Sequence, residues 1–169
     1  MKQLISFLLI VIAQFVAAQS EQMRIAYFEA GISDDGIKKF YNSAQSYSEN
    51  TPIDKAYKGV AIAMYASLAS GVDQKFEYFN RGKALLEKAV ADDWYNAEIR
   101  FLRFSVQAEV PFIVGYSSNL KEDAYVVIDA LEKKYIDQNS YFWKNAIKFM
   151  LSSDELNNDQ KNRMQKFVS

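Results

Sequence analysis

Apolar residues return every three or four positions along nearly the whole chain, and no stretch alternates strictly enough to suggest a strand. The spacing predicts a succession of amphipathic helices. Met23, Ala26, Tyr27 and Ala30 share a face that ends at Gly31, a natural C-terminal cap. Ser33 then offers a capping hydroxyl, and Asp34 and Asp35 place negative charge in the first turn of a second helix striped by Ile37, Phe40, Tyr41, Ala44 and Tyr47. Thr51-Pro52-Ile53-Asp54 is the sharpest helix start, with a capping hydroxyl, proline at the first helical position and a carboxylate able to reach back. Tyr57, Ala61, Met64 and Leu68 form one face of that helix, while Gly59, Ala63 and Ala66 are small enough to let another helix approach closely. Gly71 is expected to end it.

Phe76, Phe79, Gly82, Leu86 and Ala89 mark the next helix, closed by Asp92-Asp93-Trp94. Asn96 to Val110 then stands apart, because it is apolar on two flanks. Ile99, Leu102, Val106 and Val110 share one side; Ala97, Phe101, Phe104 and Ala108 share the other. Two narrow polar seams separate them, Asn96/Arg100/Arg103/Gln107 and, opposite, Glu98/Ser105/Glu109. A helix with two apolar flanks needs a neighbour on each, so this one is expected inside a layer of helices. Pro111 ends it by lacking an amide hydrogen. Phe112 to Ser118 reads as a loop with room for a short helical turn before Gly115. Asn119-Leu120-Lys121-Glu122 has the form of a capping box, followed by the stripe Leu120, Ala124, Val127, Ile128, Leu131 and Tyr135. Asn139 or Ser140 opens a helix that buries Trp143, Ala146, Ile147 and Met150. After Ser152-Ser153, a short closing helix over Asp159 to Val168 turns Met164 and Phe167 inward.

The fold class implied is all-α, an array of antiparallel helical hairpins with about seven helices. They follow an N-terminal segment of a different kind. Lys2 precedes an almost unbroken apolar run from Leu4 to Val16, and Val16-Ala17-Ala18 supplies the small residues that a signal peptidase requires. Residues 1–18 are therefore expected to be a signal peptide cut between Ala18 and Gln19, leaving 19–169 as a single exported domain, periplasmic or secreted. The run is shorter than the roughly 20 apolar residues of a spanning helix, so no membrane span is expected after cleavage. With Lys2 gone, 19 basic residues face 21 acidic ones, a near-balance without the basic excess that nucleic acid selects. The sequence contains no cysteine, so no disulfide stabilises the domain, and no histidine. The commonest general base, thiol nucleophile and zinc ligands are thus missing, and no cofactor or metal is expected.

From Thr51 to about Val110 the chain resembles tetratricopeptide-type helical hairpins. Tyr57 and Gly59 are similar to the large-then-small pair of a first helix, Gly82, Leu86 and Ala89 to the small-large-small series of a second. Asp92 to Glu98 resembles the acidic turn that introduces a next repeat. Trp94 stands where that turn usually has proline, and the helix starts at Asp54 and Asn96 lie 42 residues apart against about 34 in the standard repeat. The whole-chain pattern, with EIRFLRFSVQ, a proline and a glycine-tyrosine turn, also resembles uncharacterised exported bacterial proteins. The hairpin resemblance implies a TPR-like array that stacks into a groove and binds a protein or peptide partner.

Candidate chemistry concentrates in the first seam. Arg100 and Arg103 point the same way from adjacent turns, and guanidinium forks suit carboxylates. With Asn96 and Gln107 they are candidates for gripping an acidic ligand or a peptide tail; the alternative is internal pairing, with Asp92, Asp93 and Glu87 available as partners. Phe112 and Tyr116 form an aromatic loop that either lines a groove or covers the core. Adjacent acids at Asp34/Asp35, Asp92/Asp93, Glu122/Asp123 and Asp154/Glu155 leave a carboxylate-dependent hydrolase of envelope glycans as an alternative, although each pair lies near a helix end where the dipole accounts for it. A structural assembly domain is the third reading. The leading expectation is a non-enzymatic interaction module.

Overall fold

The computed structural model describes residues 20–168, and among them every regular element is helical. The expected signal peptide and its cleavage point lie outside the described residues. Eight α-helices are present among these residues, against about seven expected: α1 (20–30), α2 (Asp34–Ala44), α3 (Pro52–Tyr65), α4 (Val72–Asp92), α5 (Ala97–Glu109), α6 (Leu120–Glu132), α7 (Tyr141–Ser152) and α8 (Asn158–Gln165). Single 3-10 turns follow α3 at Ala66–Leu68 and α5 at Phe112–Val114. Consecutive helices pack as hairpins, α2 on α3, α3 on α4, α5 on α6 and α7 on α8.

The helix starts follow local chemistry. Ser33 Oγ accepts from the Gly36 amide at 3.1 Å, and Thr51 Oγ1 accepts from the Asp54 amide at 3.2 Å. Ser140 caps α7, and Asn157 forms a reciprocal capping box with Gln160 that starts α8 at Asn158. Such caps typically contribute about 1 kcal/mol each.

Five positions depart from expectation. Gly71 does not end α3; that helix tightens into a 3-10 turn at Ala66, which takes Leu68 off its face, and Gly71 is instead the cap that opens α4. Phe76, read as a core position of α4, is half exposed. Asn119 does not cap α6, since Gln107 claims it: Gln107 Nε2 donates to Asn119 Oδ1 at 3.2 Å and the Asn119 amide donates to Gln107 Oε1 at 3.1 Å. Tyr135 is exposed rather than buried. The chain reverses after α6 with Lys134 at φ 58°, and the amides of Lys134 and Tyr135 return to the carbonyls of Leu131 and Ala130, which swings Tyr135 outward.

α5 is the axis of the domain. It packs against α3, α4, α6 and α7, and every residue from Ala97 to Gln107 is buried. Phe101 sits among the rings of Tyr27, Phe142 and Phe149 with centroids 6.0, 5.5 and 6.0 Å away. Burying one such side chain contributes roughly 1.5–3 kcal/mol. Across the domain, α3 and α4 touch at Gly59 and Gly82. A Cβ on Gly82 would lie 2.5 Å from the Gly59 carbonyl oxygen, so only glycine permits this crossing.

Candidate functional site

α5 carries its two polar seams into different environments. In the first, Arg103 makes a fork–fork pair with Asp123 on α6, Nε to Oδ2 at 2.8 Å and Nη2 to Oδ1 at 2.7 Å, while its Nη1 reaches Glu87 on α4 at 2.8 Å. Glu87 accepts a second bond from the Tyr116 hydroxyl at 2.5 Å. Arg100 lies with Nε 2.7 Å from Asp123 and Nη2 2.8 Å from Glu122, at ion-pair distance, although none of its N–H groups is aimed well enough for a hydrogen bond. Its guanidinium is covered by the ring of Trp94, 4.4 Å from Cζ to centroid. Trp94 therefore closes the seam by a cation–π contact. Asn96 spends its oxygen on the amides of Glu98 and Ile99 and its nitrogen on Asp93.

The seam thus faces carboxylates of this chain. Arg100 is 0% and Arg103 2% exposed. Of the internal partners anticipated, Glu87 takes part; Asp92 instead pairs with Lys55, Asp93 bonds Asn96, and the central acceptor is Asp123. Burial pushes the Asp123 carboxyl above the ordinary aspartate range against the pull of Arg103 and Arg100. Burial also raises Glu122, but Arg100, with Asn119 and Arg103 behind it, holds that carboxyl below its usual value.

The opposite seam behaves differently along its length. Glu98 is buried and holds α1 and α3 to α5. It takes a bidentate Arg24 at 2.9 and 2.7 Å and a hydroxyl bond from Tyr57 at 2.7 Å. About two and three turns further on, Ser105 and Glu109 line a pocket of about 720 Å³. Its deep wall is made by Val60 and Ala63 of α3, Phe79 of α4 and Val106 of α5, with Tyr27 and Ala30 of α1 alongside. Met64, Val72, Phe76, Val110 and Val114 lie nearer the mouth, and Lys75 and Glu109 are the charged residues lining it. The volume is in the range of small-ligand sites, and such sites are mostly apolar with few polar groups.

Exposed apolar residues line this mouth or adjoin its lining residues in the chain. Val72 and Phe76 line it, Ile32 follows the lining residue Gly31, and Phe112 and Ile113, both 92% exposed, lie between the lining residues Pro111 and Val114. Of the two aromatic loop residues, Phe112 thus stands in solvent beside the pocket, whereas Tyr116 is buried against Phe79 with its ring 4.6 Å from Lys83 Nζ. Sequence reading passed over Lys75, and it placed Met64 on a helix face and Glu109 in the second seam without making either a site residue. The available signal was apolar residues out of helical register, Val72 among polar neighbours and Phe112-Ile113 in a loop.

The acidic pairs do not converge. Asp34, Asp35, Asp154 and Glu155 are exposed at helix ends, the Asp92/Asp93 and Glu122/Asp123 pairs are engaged as described, and Glu109 is the single acid among the pocket-lining residues. Among the described residues no group of histidine, cysteine, aspartate or glutamate is placed to hold a metal ion, and no helix is long and apolar enough to cross a membrane. No protein-family model, curated protein or solved structure matches the chain.

Buried tyrosines, Tyr47 among them, are expected to make the fold alkali-sensitive. Burial drives the hydroxyls of Tyr27, Tyr57 and Tyr116 upward, with Glu98 adding to the effect at Tyr57 and Glu87 at Tyr116. A tyrosine that stays protonated when folded but ionises near pH 10 when unfolded supports the fold below that pH and withdraws support above it. Each should remove about 1.4 kcal/mol per pH unit above pH about 10. Thermal unfolding should be nearly flat just below pH 10 and fall steeply beyond, less steeply in Tyr57→Phe. An identical slope in that variant would assign the loss to other groups.

Proposed function

We propose that this chain is a non-enzymatic helical-repeat binding module of the bacterial envelope or secreted fraction, and that its ligand sits in the pocket between α3, α4 and α5. The observation that carries the reading is this deep apolar pocket, with exposed Val72 and Phe76 in its lining and exposed Ile32, Phe112 and Ile113 adjoining lining residues in the chain. Soluble monomers rarely leave such residues gathered together without a use. The Gly59–Gly82 crossing supports a tetratricopeptide-like hairpin for α3 and α4, and the apolar run of Leu4 to Val16 supports export.

The pocket walls are largely helix sides, whose backbone groups are bonded within the helices. A protein or peptide partner would therefore enter by apolar side chains and keep its main chain outside. A glycan hydrolase needs two carboxylates across one cleft, and Glu109 is alone in this one.

Nile red, a neutral apolar dye that brightens on leaving water, tests the reading. It should bind the purified protein at one site per chain. Met64→Trp and Val110→Trp, which fill the pocket from two partly exposed positions, should each weaken binding by about tenfold while the thermal transition persists. No binding to the wild type, or equal binding by both folded variants, would overturn it. Docking into a larger assembly, the second reading, is favoured by the same rim. A concentration-dependent dimer that shuts out the dye would support it.

A further inference from the structure

The mouth of the pocket carries two opposite charges that do not meet. Lys75 belongs to the first turns of α4 and Glu109 is the last residue of α5; both line the pocket, and neither forms an ion pair with the other or with any described side chain within 4.0 Å. Elsewhere the chain pairs its charges readily, even on exposed helix faces such as Asp35–Lys39 and Asp129–Lys133.

The helix ends sharpen this polarity. α4 opens at Gly71 with no side chain capping its amides; its positive end lies on the Lys75 side and is offset in part by Asp73 in the first turn. α5 ends with Glu109 and has no basic residue in its last turn, so a carboxylate occupies the negative end of a helix, where it is disfavoured. Beneath these poles the walls are hydrocarbon. Ser105 Oγ already donates to the Leu102 carbonyl, which leaves its oxygen and the hydroxyl of Tyr27 as the polar groups of the buried lining residues.

We infer that the pocket takes a single-chain zwitterionic amphiphile, with its acyl chain among Val60, Ala63, Phe79 and Val106, its anionic group at Lys75 and its ammonium at Glu109. This rests on the binding reading above and adds the ligand class. A purely anionic amphiphile would leave Glu109 both unpaired and repelled, and a neutral one would leave both charges unused. Phe112, Ile113 and Ile32 are exposed and adjoin lining residues in the chain, so they are available to enter the apolar layer of a lipid surface from which such a molecule is drawn.

Displacement of Nile red separates the possibilities. Three ligands of equal acyl length are compared as monomers: lysophosphatidylethanolamine, the anionic lysophosphatidylglycerol and the uncharged monoacylglycerol. The zwitterion should displace the dye at concentrations at least about fivefold lower than the uncharged ligand, the factor expected of a solvent-exposed charge contact. Lys75→Gln and Glu109→Gln should each reduce that preference by a similar factor. A parallel arm floats the protein with phosphatidylethanolamine vesicles and with no vesicles. Co-flotation lost in Phe112→Ser/Ile113→Ser identifies a bilayer as the source, and displacement without co-flotation identifies the free lysolipid.

Equal displacement by all three ligands, or a preference untouched by both substitutions, would overturn the zwitterion. So would displacement by an apolar peptide but by no amphiphile. In each of those cases dye binding still supports a binding module. Failure of the wild type to bind the dye would remove both readings together.

Discussion

Arg103→Ala is expected to destabilise the domain by about 3–5 kcal/mol, the loss seen when one member of a buried ion pair is removed. Asp123 is fully buried, and burial already holds its carboxyl above the ordinary range with both arginines opposing the shift. Deleting Arg103 takes away its bidentate partner and leaves Arg100, at ion-pair distance but without well-aimed hydrogen bonds. Glu87 loses its cation in the same step. Against a total stability of about 5–15 kcal/mol, such a loss is a large share.

The pH dependence gives the cause. In the variant the Asp123 carboxyl rises further above its unfolded value, so the folded state takes up a proton that the unfolded state does not. Stability should then recover partly as the pH falls through that range, where the wild type gains less. Chemical denaturation at several pH values checks this. Arg103→Met combined with Asp123→Leu should recover most of the loss, because an apolar pair of similar volume needs no charge compensation. A loss under about 1 kcal/mol at neutral pH would show that the pair behaves as a solvated one.

Gly82→Ala should cost about 3 kcal/mol, at the upper end of the range for overpacking. Helix propensity argues the other way, since alanine is favoured over glycine by about 1 kcal/mol inside a helix. The sign of the result therefore decides which effect wins. The new methyl would lie 2.5 Å from the Gly59 oxygen and 2.6 Å from the Ala63 nitrogen, and both are backbone atoms that no change of rotamer can move. α3 and α4 must separate, and Val60, Ala63 and Phe79, which form the deep wall of the pocket, separate with them. Gly71→Ala is the control, because a methyl there meets nothing within 4 Å. Denaturation midpoints of the two variants make the comparison. A stabilised Gly82→Ala would mean that the helices have slack at the crossing.

Local signals carried much of the architecture. Thr51-Pro52, Ser33 before two aspartates and Pro111 mark their boundaries through hydrogen bonds and steric limits that operate within one turn of chain, so they can be read without the fold. The two apolar flanks of the segment after Asn96 likewise required neighbours on each side, and Phe101 and Phe104 are fully enclosed. Where a side chain had a distant competitor, the local reading gave way. Asn119 has the form of a cap, yet Gln107 occupies it from another helix.

The same limit separated the two seams of α5. Sequence periodicity established that Arg100 and Arg103 share one strip and that Glu98, Ser105 and Glu109 share another, because helical spacing is a property of the segment alone. Only the tertiary structure decided that Asp123 arrives opposite the arginines while the far end of the second strip opens on an apolar pocket. Which carboxylate meets which guanidinium, and where a void remains, depends on the relative placement of α1, α3, α4 and α6, and that placement is fixed by contacts between residues many turns apart.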